Sequence, residues 1–364
     1  MLQHAQLPYL TNPTLKVAGI IKSIPEHFHV EEIPAYVPSG SGEHLYLWIE
    51  KTDISTDYLV RQLSYQLHIP REAVGYAGMK DRRAVTRQWI SLPRQCEAKL
   101  DQFQLPGFTI LETNWHQNKL KTGHLEGNRF RITISECDPT QDSVVAQLLN
   151  QIRQSGMLNA YGDQRFGLED ETLQLGHDLL TGKVRRARTP FLKKLSLSAV
   201  QSWLFNHYLT RRHSRGELFT VLPGDVMGKW PHGGIFVSED PAVEQQRFEA
   251  REIMFRGPIY GTKMFPAKNV ALMRELELLD QLGIATAQFV PFEKIMQGTR
   301  RPNLVYLNDL RHEWVDGLLV LDFSLPSGSY ATILLRELLK TDQLTEPTPA
   351  IGEVGEVAAS ENDQ

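Results

Sequence analysis

The chain has 364 residues, 41% hydrophobic and 23% charged, with a formal net charge of −4. That size and balance fit a globular protein with room for two domains and exclude a chain too polar to fold. A transmembrane helix, a signal peptide and a disulfide framework are excluded as well: no apolar run reaches about 18 residues, the start Met1-Leu-Gln-His-Ala-Gln-Leu-Pro lacks a basic and apolar leader, and the two cysteines, Cys96 and Cys137, lie far apart, so a cytoplasmic location is expected.

In chain order, Leu45, Leu47 and Ile49 alternate with polar and aromatic neighbours after the Pro38-Ser-Gly-Ser-Gly42 loop, the pattern of a half-buried strand. Leu59, Leu63 and Leu67 recur on one face, which predicts a helix over 56–67, ended by Pro70. Next comes Gly75-Tyr-Ala-Gly-Met-Lys-Asp-Arg-Arg-Ala-Val-Thr-Arg-Gln-Trp89, a single acid, Asp81, set among Lys80, Arg82, Arg83 and Arg87. Neighbouring cations favour the ionised form of a carboxylate, and the same cations suit a polyanionic substrate. Phe130, Ile132 and Ile134 alternate in a second strand that begins near Asn128, and 142–153 is an amphipathic helix stopped by Gly156.

The pattern changes near Asn159. Asn159-Ala-Tyr-Gly-Asp-Gln-Arg-Phe-Gly167 is a polar, aromatic loop, followed by helical patterns at 169–181, 196–212 and 269–282 and a Gly/Pro-rich region over 222–261. Lys183, Arg185, Arg186, Arg188, Lys193 and Lys194 fall within twelve residues that contain no acid. Near Leu318 the mixed strand-and-helix pattern of the N-terminal part returns, with a buried-strand run over 318–323 and a helix over 330–339. One domain split by an inserted domain is the simplest arrangement. From Thr341 onward there are six acids and no Lys or Arg, so the remainder carries a net charge of +2 and the tail is expected to be disordered.

Several chemistries are missing. There is no Gly-x-x-x-x-Gly-Lys-Ser/Thr phosphate loop, no Gly-x-Gly-x-x-Gly after a strand and no Gly-x-Ser-x-Gly elbow. His124-x-Glu126 lacks the Pro-Cys-x-x-Cys that a zinc deaminase requires, and no His-Glu-x-x-His occurs, so no metal is expected. What remains is acid chemistry without a cofactor.

Five segments, in order, carry a resemblance. They are Ile21-Lys22-Ser-Ile-Pro25-Glu-His-Phe28-His-Val-Glu31-Glu, Gly78-Met-Lys-Asp81-Arg-Arg-Ala-Val-Thr-Arg-Gln-Trp89, Glu126-Gly-Asn128-Arg-Phe130, Asn159-Ala-Tyr161-Gly-Asp-Gln-Arg165-Phe-Gly and Phe323-Ser-Leu-Pro326-Ser-Gly328-Ser-Tyr330-Ala-Thr-Ile-Leu-Leu-Arg336-Glu337. Together they resemble the tRNA pseudouridine synthase D (TruD) family over about residues 16–340, thinly between 215 and 310. The resemblance implies an α+β fold: a pseudouridine synthase catalytic domain with a mixed, largely antiparallel sheet, interrupted by an inserted α/β TRUD domain. The expected boundaries are 1–158 and 304–340 for the catalytic domain, 159–303 for the insert and 341–364 for the acidic tail.

It also implies a cofactor-free isomerase acting on uridine 13 of tRNA, expected to be a monomer with tRNA as its partner and no membrane. Asp81 would be the catalytic carboxylate, acting at the anomeric carbon or through a glycal route, with Lys22 as its ion-pair partner. An unpaired buried carboxylate would otherwise be costly. Lys80 is a rival for that role and a substrate-binding candidate, although in an extended segment its side chain would point away from Asp81. Phe130 would pack on the uracil, since aromatic stacking returns roughly 1–3 kcal/mol per unstacked base; core packing is the alternative. Asn128 would read the uracil edge or shape the turn after Gly127. Arg165, with Gln164 and Tyr161, would contact substrate, or Arg165 would pair with Asp163. Lys183, Arg185, Arg186, Arg188, Lys193 and Lys194 would follow the RNA backbone, which positions a nucleic acid without reading it. Glu31 and Glu337 would orient cations or, as surface acids, do nothing specific. Two rivals stand beside this reading: a non-catalytic RNA-binding or tRNA-folding protein, and a Mg²⁺-dependent hydrolase, which the cations around Asp81 disfavour.

Overall fold

The computed structural model describes residues 2–231 and 233–341; beyond Thr341 the expected acidic tail lies outside the described residues. Two compact units emerge. One runs from Thr11 to Gly156 and resumes at Tyr306; the other comprises Met157–Val305 together with the residues up to Leu10. Among the described residues no helix is long and apolar enough to cross a membrane.

The first unit opens with β1 (Ile20–Ile21), β2 (Phe28–Pro34), β3 (His44–Thr52), α1 (Thr56–Leu67), β4 (Gly75–Tyr76), β5 (Val85–Pro93), β6 (Phe108–His116), β7 (Leu125–Ser135) and α2 (Asp142–Ser155). The second unit holds β8 (Met157–Leu158), α3 (Glu171–Leu180), α4 (Pro190–Ser214), β9 (Val226–Lys229), β10 (Ile235–Val237), α5 (Pro241–Glu249), β11 (Ile253–Ile259), α6 (Asn269–Gln281), β12 (Thr299–Pro302) and β13 (Leu304–Val305). The chain then returns to the first unit with β14 (Arg311–Val315), β15 (Leu318–Pro326) and α7 (Ala331–Leu339).

The first unit is built on a sheet of order β14-β15-β7-β2-β5-β3-β6, with β1 against β7 and β4 against β5. Among the described residues β2–β5 is its parallel pair and the other pairings are antiparallel, so the sheet is mixed and largely antiparallel. The apolar face that Leu45, Leu47 and Ile49 present packs in one cluster with Leu59, Val60, Leu63 and Leu67 of α1. Helix α1 starts where Ser55 accepts a hydrogen bond from the Tyr58 N–H, satisfying a donor the first turn would leave open. At Gly75 a Cβ would fall 2.3 Å from Ser91 Oγ and 2.4 Å from the Leu120 carbonyl oxygen, so the chain can enter the Asp81 loop by this route only as glycine. Strand β15, nearly two hundred residues beyond β7 in sequence, pairs with it over eight positions, including Phe323 opposite Phe130.

In the second unit the sheet has the order β10-β9-β11-β12, antiparallel throughout, and β8 pairs with β13. The long helix α4 packs against α3 and β11. Thr189 caps it by accepting from the Leu192 N–H, and Pro190 takes the first helical position, where its missing donor costs nothing. This start lies six residues before the apolar periodicity begins, because Pro190 to Leu195 are held by the cap rather than by a buried stripe. The Gly/Pro-rich region folds into β9, β10, α5 and β11. Residues 2–10, placed with the catalytic part by sequence, run with this unit instead. Trp203 Nε1 donates to the Gln3 carbonyl at 2.9 Å, and Thr210 Oγ1 to that of Gln6 at 3.4 Å.

Candidate active site

The site is assembled on one face of the large sheet. Paired residues of neighbouring strands share a face, and the registers place Lys51, Thr86, Val30, Phe130 and Phe323 in a row across five strands. Beside that row run Gln88, opposite Ile49, and Glu32, opposite Asn128. The polar residues of this face include Lys51, Thr86, Gln88, Glu32 and Asn128. The loop between β4 and β5, which carries Asp81, is tied to it.

The loop is held at successive points. Gln88 Nε2 donates to the Gly78 carbonyl at 3.1 Å, and the Lys80 N–H donates to Thr56 Oγ1 at 2.9 Å. Lys80 Nζ forms a buried ion pair with Glu32 Oε2 at 2.8 Å. Burial raises the Glu32 pKa, an effect that Lys80 partly offsets. Lys51 Nζ donates to the backbone carbonyl of Asp81 at 3.0 Å and also to that of Ile54. Past Asp81, the Asp53 N–H holds the Ala84 carbonyl at 3.2 Å.

The Asp81 side chain stays accessible, 42% exposed, and its Oδ2 is 2.8 Å from Lys22 Nζ. Lys22 has a positive φ of 56°, a backbone state that costs a non-glycine residue energy and collects at functional sites. Its ammonium also lies 4.0 Å above the Phe28 ring, a cation–π contact. Phe28 meets Phe130 edge-on at 6.1 Å, and Phe130 stacks on Phe323 at 5.3 Å with a 16° interplanar angle. Phe130 is 7% exposed, so one of its ring faces is taken by Phe323 and it forms part of an aromatic wall. Asn128, half-buried, has an Oδ1 without a hydrogen-bond partner. A buried acceptor in that state is costly and calls for a donor. The structure thus brings together Asp81, Lys22, Phe130 and Asn128 with Phe28 and Phe323 in the first unit. Lys80 is turned into the protein, where Glu32 holds it.

The family profile described as "tRNA pseudouridine synthase D (TruD)" matches residues 5–194 and 188–338 of this chain. The chain belongs to the tRNA pseudouridine synthase D family. Relatives bearing that name include one from Anaeromyxobacter dehalogenans, 40% identical over 341 residues, covering 92% of this chain and 97% of the relative. Another, from Thermus thermophilus, is 40% identical over 349 residues, covering 94% and 96%. A crystal structure titled as a putative tRNA pseudouridine synthase D from Methanosarcina mazei matches with a TM-score of 0.70 at 21% identity, covering 94% of this chain and 96% of that one. At that identity the likeness speaks for the fold, an α+β pseudouridine synthase fold. TruD proteins are isomerases, and this chain is an enzyme of that class.

The other expected TruD site residues lie in the second unit. Arg165 donates to Ser202 Oγ at 3.1 Å and to Ser198 Oγ, both on α4, so hydroxyls rather than Asp163 hold its guanidinium. Tyr161 lies under Arg301, 4.3 Å from the guanidinium to its ring centre. Lys183, Arg185, Arg186 and Arg188 are exposed along the loop before α4, with Lys183 3.8 Å from Asp178, while Lys193 and Lys194 fall in the first turns of the helix. Lys193 Nζ sits 5.1 Å over the Phe292 ring. Glu31 is a surface acid bonded to Arg87. Glu337 is not: it is buried and accepts from the Thr11 N–H and hydroxyl, because α7 lays its polar end against the incoming chain.

Sequence reasoning passed over Lys51, Glu32, Thr56 and Gln88. A signal was present for two of them. Lys51 continues the Leu45, Leu47, Ile49 phase, and Glu32 continues the phase of Phe28 and Val30, so each is a charge at a position whose parity points into the protein.

Proposed function

We propose that this protein isomerises uridine 13 in the D-arm of tRNA to pseudouridine, with Asp81 as the catalytic carboxylate. The observation that carries the reading is the Lys22–Asp81 ion pair beside the aromatic wall of Phe28, Phe130 and Phe323. An exposed carboxylate held by one oxygen is oriented yet open to a substrate, as a carboxylate nucleophile must be. In the reaction the N1–C1′ bond breaks and uracil leaves with the bonding pair. Asp81 acts at the ribose meanwhile. The base then turns so that C5 forms the new bond to C1′, which releases Asp81 from the ribose, and the proton lost from C5 is matched by one gained at N1.

Each neighbour has a role. Lys22 fixes the direction of the carboxylate. The wall containing Phe130 supports the uracil after it has left its stack, a step that costs a few kcal/mol, and keeps the freed base from water. Asn128 Oδ1 accepts from the imide N–H of the uracil, which supplies the donor that the structure leaves open. Lys183, Arg185, Arg186, Arg188 and Lys194 follow the RNA backbone from the second unit, assisted by Lys193, and Arg165 orders α4 through its two serine contacts. Lys80, expected to touch substrate, supports the loop instead.

The test is to incubate wild-type and Asp81→Ala protein with an unmodified tRNA transcript and map pseudouridine by carbodiimide primer extension. A stop at position 13 with the wild type alone is the expected result. A stop elsewhere would refute the position, and product from Asp81→Ala would refute the residue.

A further inference from the structure

Two lysines are buried against the Asp81 loop, and they are not equivalent. Lys80 is matched by Glu32. Lys51 is fully buried, 0% exposed, and among the described residues it has no carboxylate partner. Its ammonium is satisfied by the carbonyls of Ile54 and Asp81. Burying an ammonium without a counter-ion is costly. Burial lowers the Lys51 pKa to about 8, with Asp81 opposing that shift and Lys80 adding to it, so the group is still mostly protonated at neutral pH. Methionine would fill the same space with no such cost. What methionine could not do is hold the two carbonyls, which would be left without their donor.

The two carbonyls show what the charge does. Ile54 lies in the turn between β3 and α1, and Asp81 lies in the loop between β4 and β5, so one ammonium joins two segments distant in sequence. The same turn also holds the loop through Asp53 N–H to Ala84 O and through Thr56 to the Lys80 N–H. Only the Lys51 contact falls on Asp81 itself. Charge-assisted hydrogen bonds are about twice as strong as neutral ones, and Lys22 constrains the other end of the same residue.

We propose that Lys51 is a positioning residue of the reaction, whose buried ammonium holds the backbone of Asp81 to the β3–α1 turn so that Lys22 can set the direction of the carboxylate. With the ammonium removed, the Asp81 peptide is free to turn, and the carboxylate loses its place over the ribose while the RNA-binding surface is unchanged. The proposal rests on Asp81 being the catalytic carboxylate.

The test compares wild type, Lys51→Met, Lys51→Gln and Asp81→Ala in three measurements: the single-turnover rate of pseudouridine formation, the affinity for unmodified tRNA, and the thermal midpoint. Lys51→Met should lose about 100-fold in rate, the scale expected when a reacting group is misplaced by about 1 Å, with tRNA affinity and midpoint retained. Lys51→Gln, which keeps one amide donor, should fall between it and the wild type. A wild-type rate in Lys51→Met would overturn the proposal. So would unfolding of both variants, or a rate loss matched by a loss of tRNA affinity, since Lys51 would then serve the fold at large. Activity in Asp81→Ala would remove the reading beneath the proposal. An inactive Asp81→Ala beside a fully active Lys51→Met would defeat the Lys51 proposal alone.

Discussion

The molecule uses its cations in two opposite ways. Around Asp81, Lys22 and Lys80 are each held by one carboxylate oxygen and Lys51 by two backbone carbonyls, and two of the three are buried. In the loop before α4, Lys183, Arg185, Arg186 and Arg188 are exposed. A buried, paired charge has one geometry and is expensive to disturb. An exposed charge is screened and contributes through many loose arrangements. The same residue types thus supply rigidity in one region and an adaptable field in the other. That contrast fits the proposed roles, a carboxylate that must be aimed in one region and a phosphate backbone that need only be attracted in the other.

The contrast can be broken at four points. The largest effect is expected from Asp81→Asn, which keeps the shape of the side chain and removes its charge: pseudouridine formation should fall by at least about 10⁴-fold, as for other enzymes that lose a nucleophile, while tRNA binding measured by filter retention persists. Next is Lys80→Met, which strands Glu32 in a buried site. Chemical denaturation should show a loss of about 3–5 kcal/mol, most of it regained in the double variant with Glu32→Leu.

Replacing Lys183, Arg185, Arg186 and Arg188 together with alanine should leave folding intact. It should lower the slope of log affinity against log salt by about 0.7–0.9 for each phosphate that is no longer neutralised. An unchanged slope would remove this loop from the RNA interface. The smallest effect concerns pH. Since the Lys51 pKa is depressed in the folded protein to about 8, the unfolded state binds more protons between that value and about 10.5. The Lys51 contribution to stability therefore rises with pH through this window. Denaturation midpoints followed from pH 7 to 10 should show that rise in the wild type and lose it in Lys51→Met.

How much of this was legible in the sequence varied with the range of the interaction. The helix over 56–67 and the strand around Leu45 to Ile49 were legible because a local period marks a buried face. Asp81 and Lys22 were legible through family resemblance, although nothing in their spacing of 59 residues states that they meet. The partner of Lys80 was not legible, since Glu32 lies on β2, 48 residues earlier in the chain, and no local pattern joins the two. The buried state of Glu337 was missed for a related reason: its partner Thr11 is 326 residues away.

By itself the sequence determined the class of the protein, the main helices and strands, and the acid that is proposed to carry its chemistry. These follow from composition, short-range periodicity and the order of five segments. Only the tertiary structure decided which cation serves which oxygen. That choice depends on strand registers and on the return of β15 to β7 after the second unit has been crossed. Pairings of that kind are set by which arrangement leaves the fewest buried charges and polar groups unsatisfied, a condition on the whole sheet rather than on any stretch of chain.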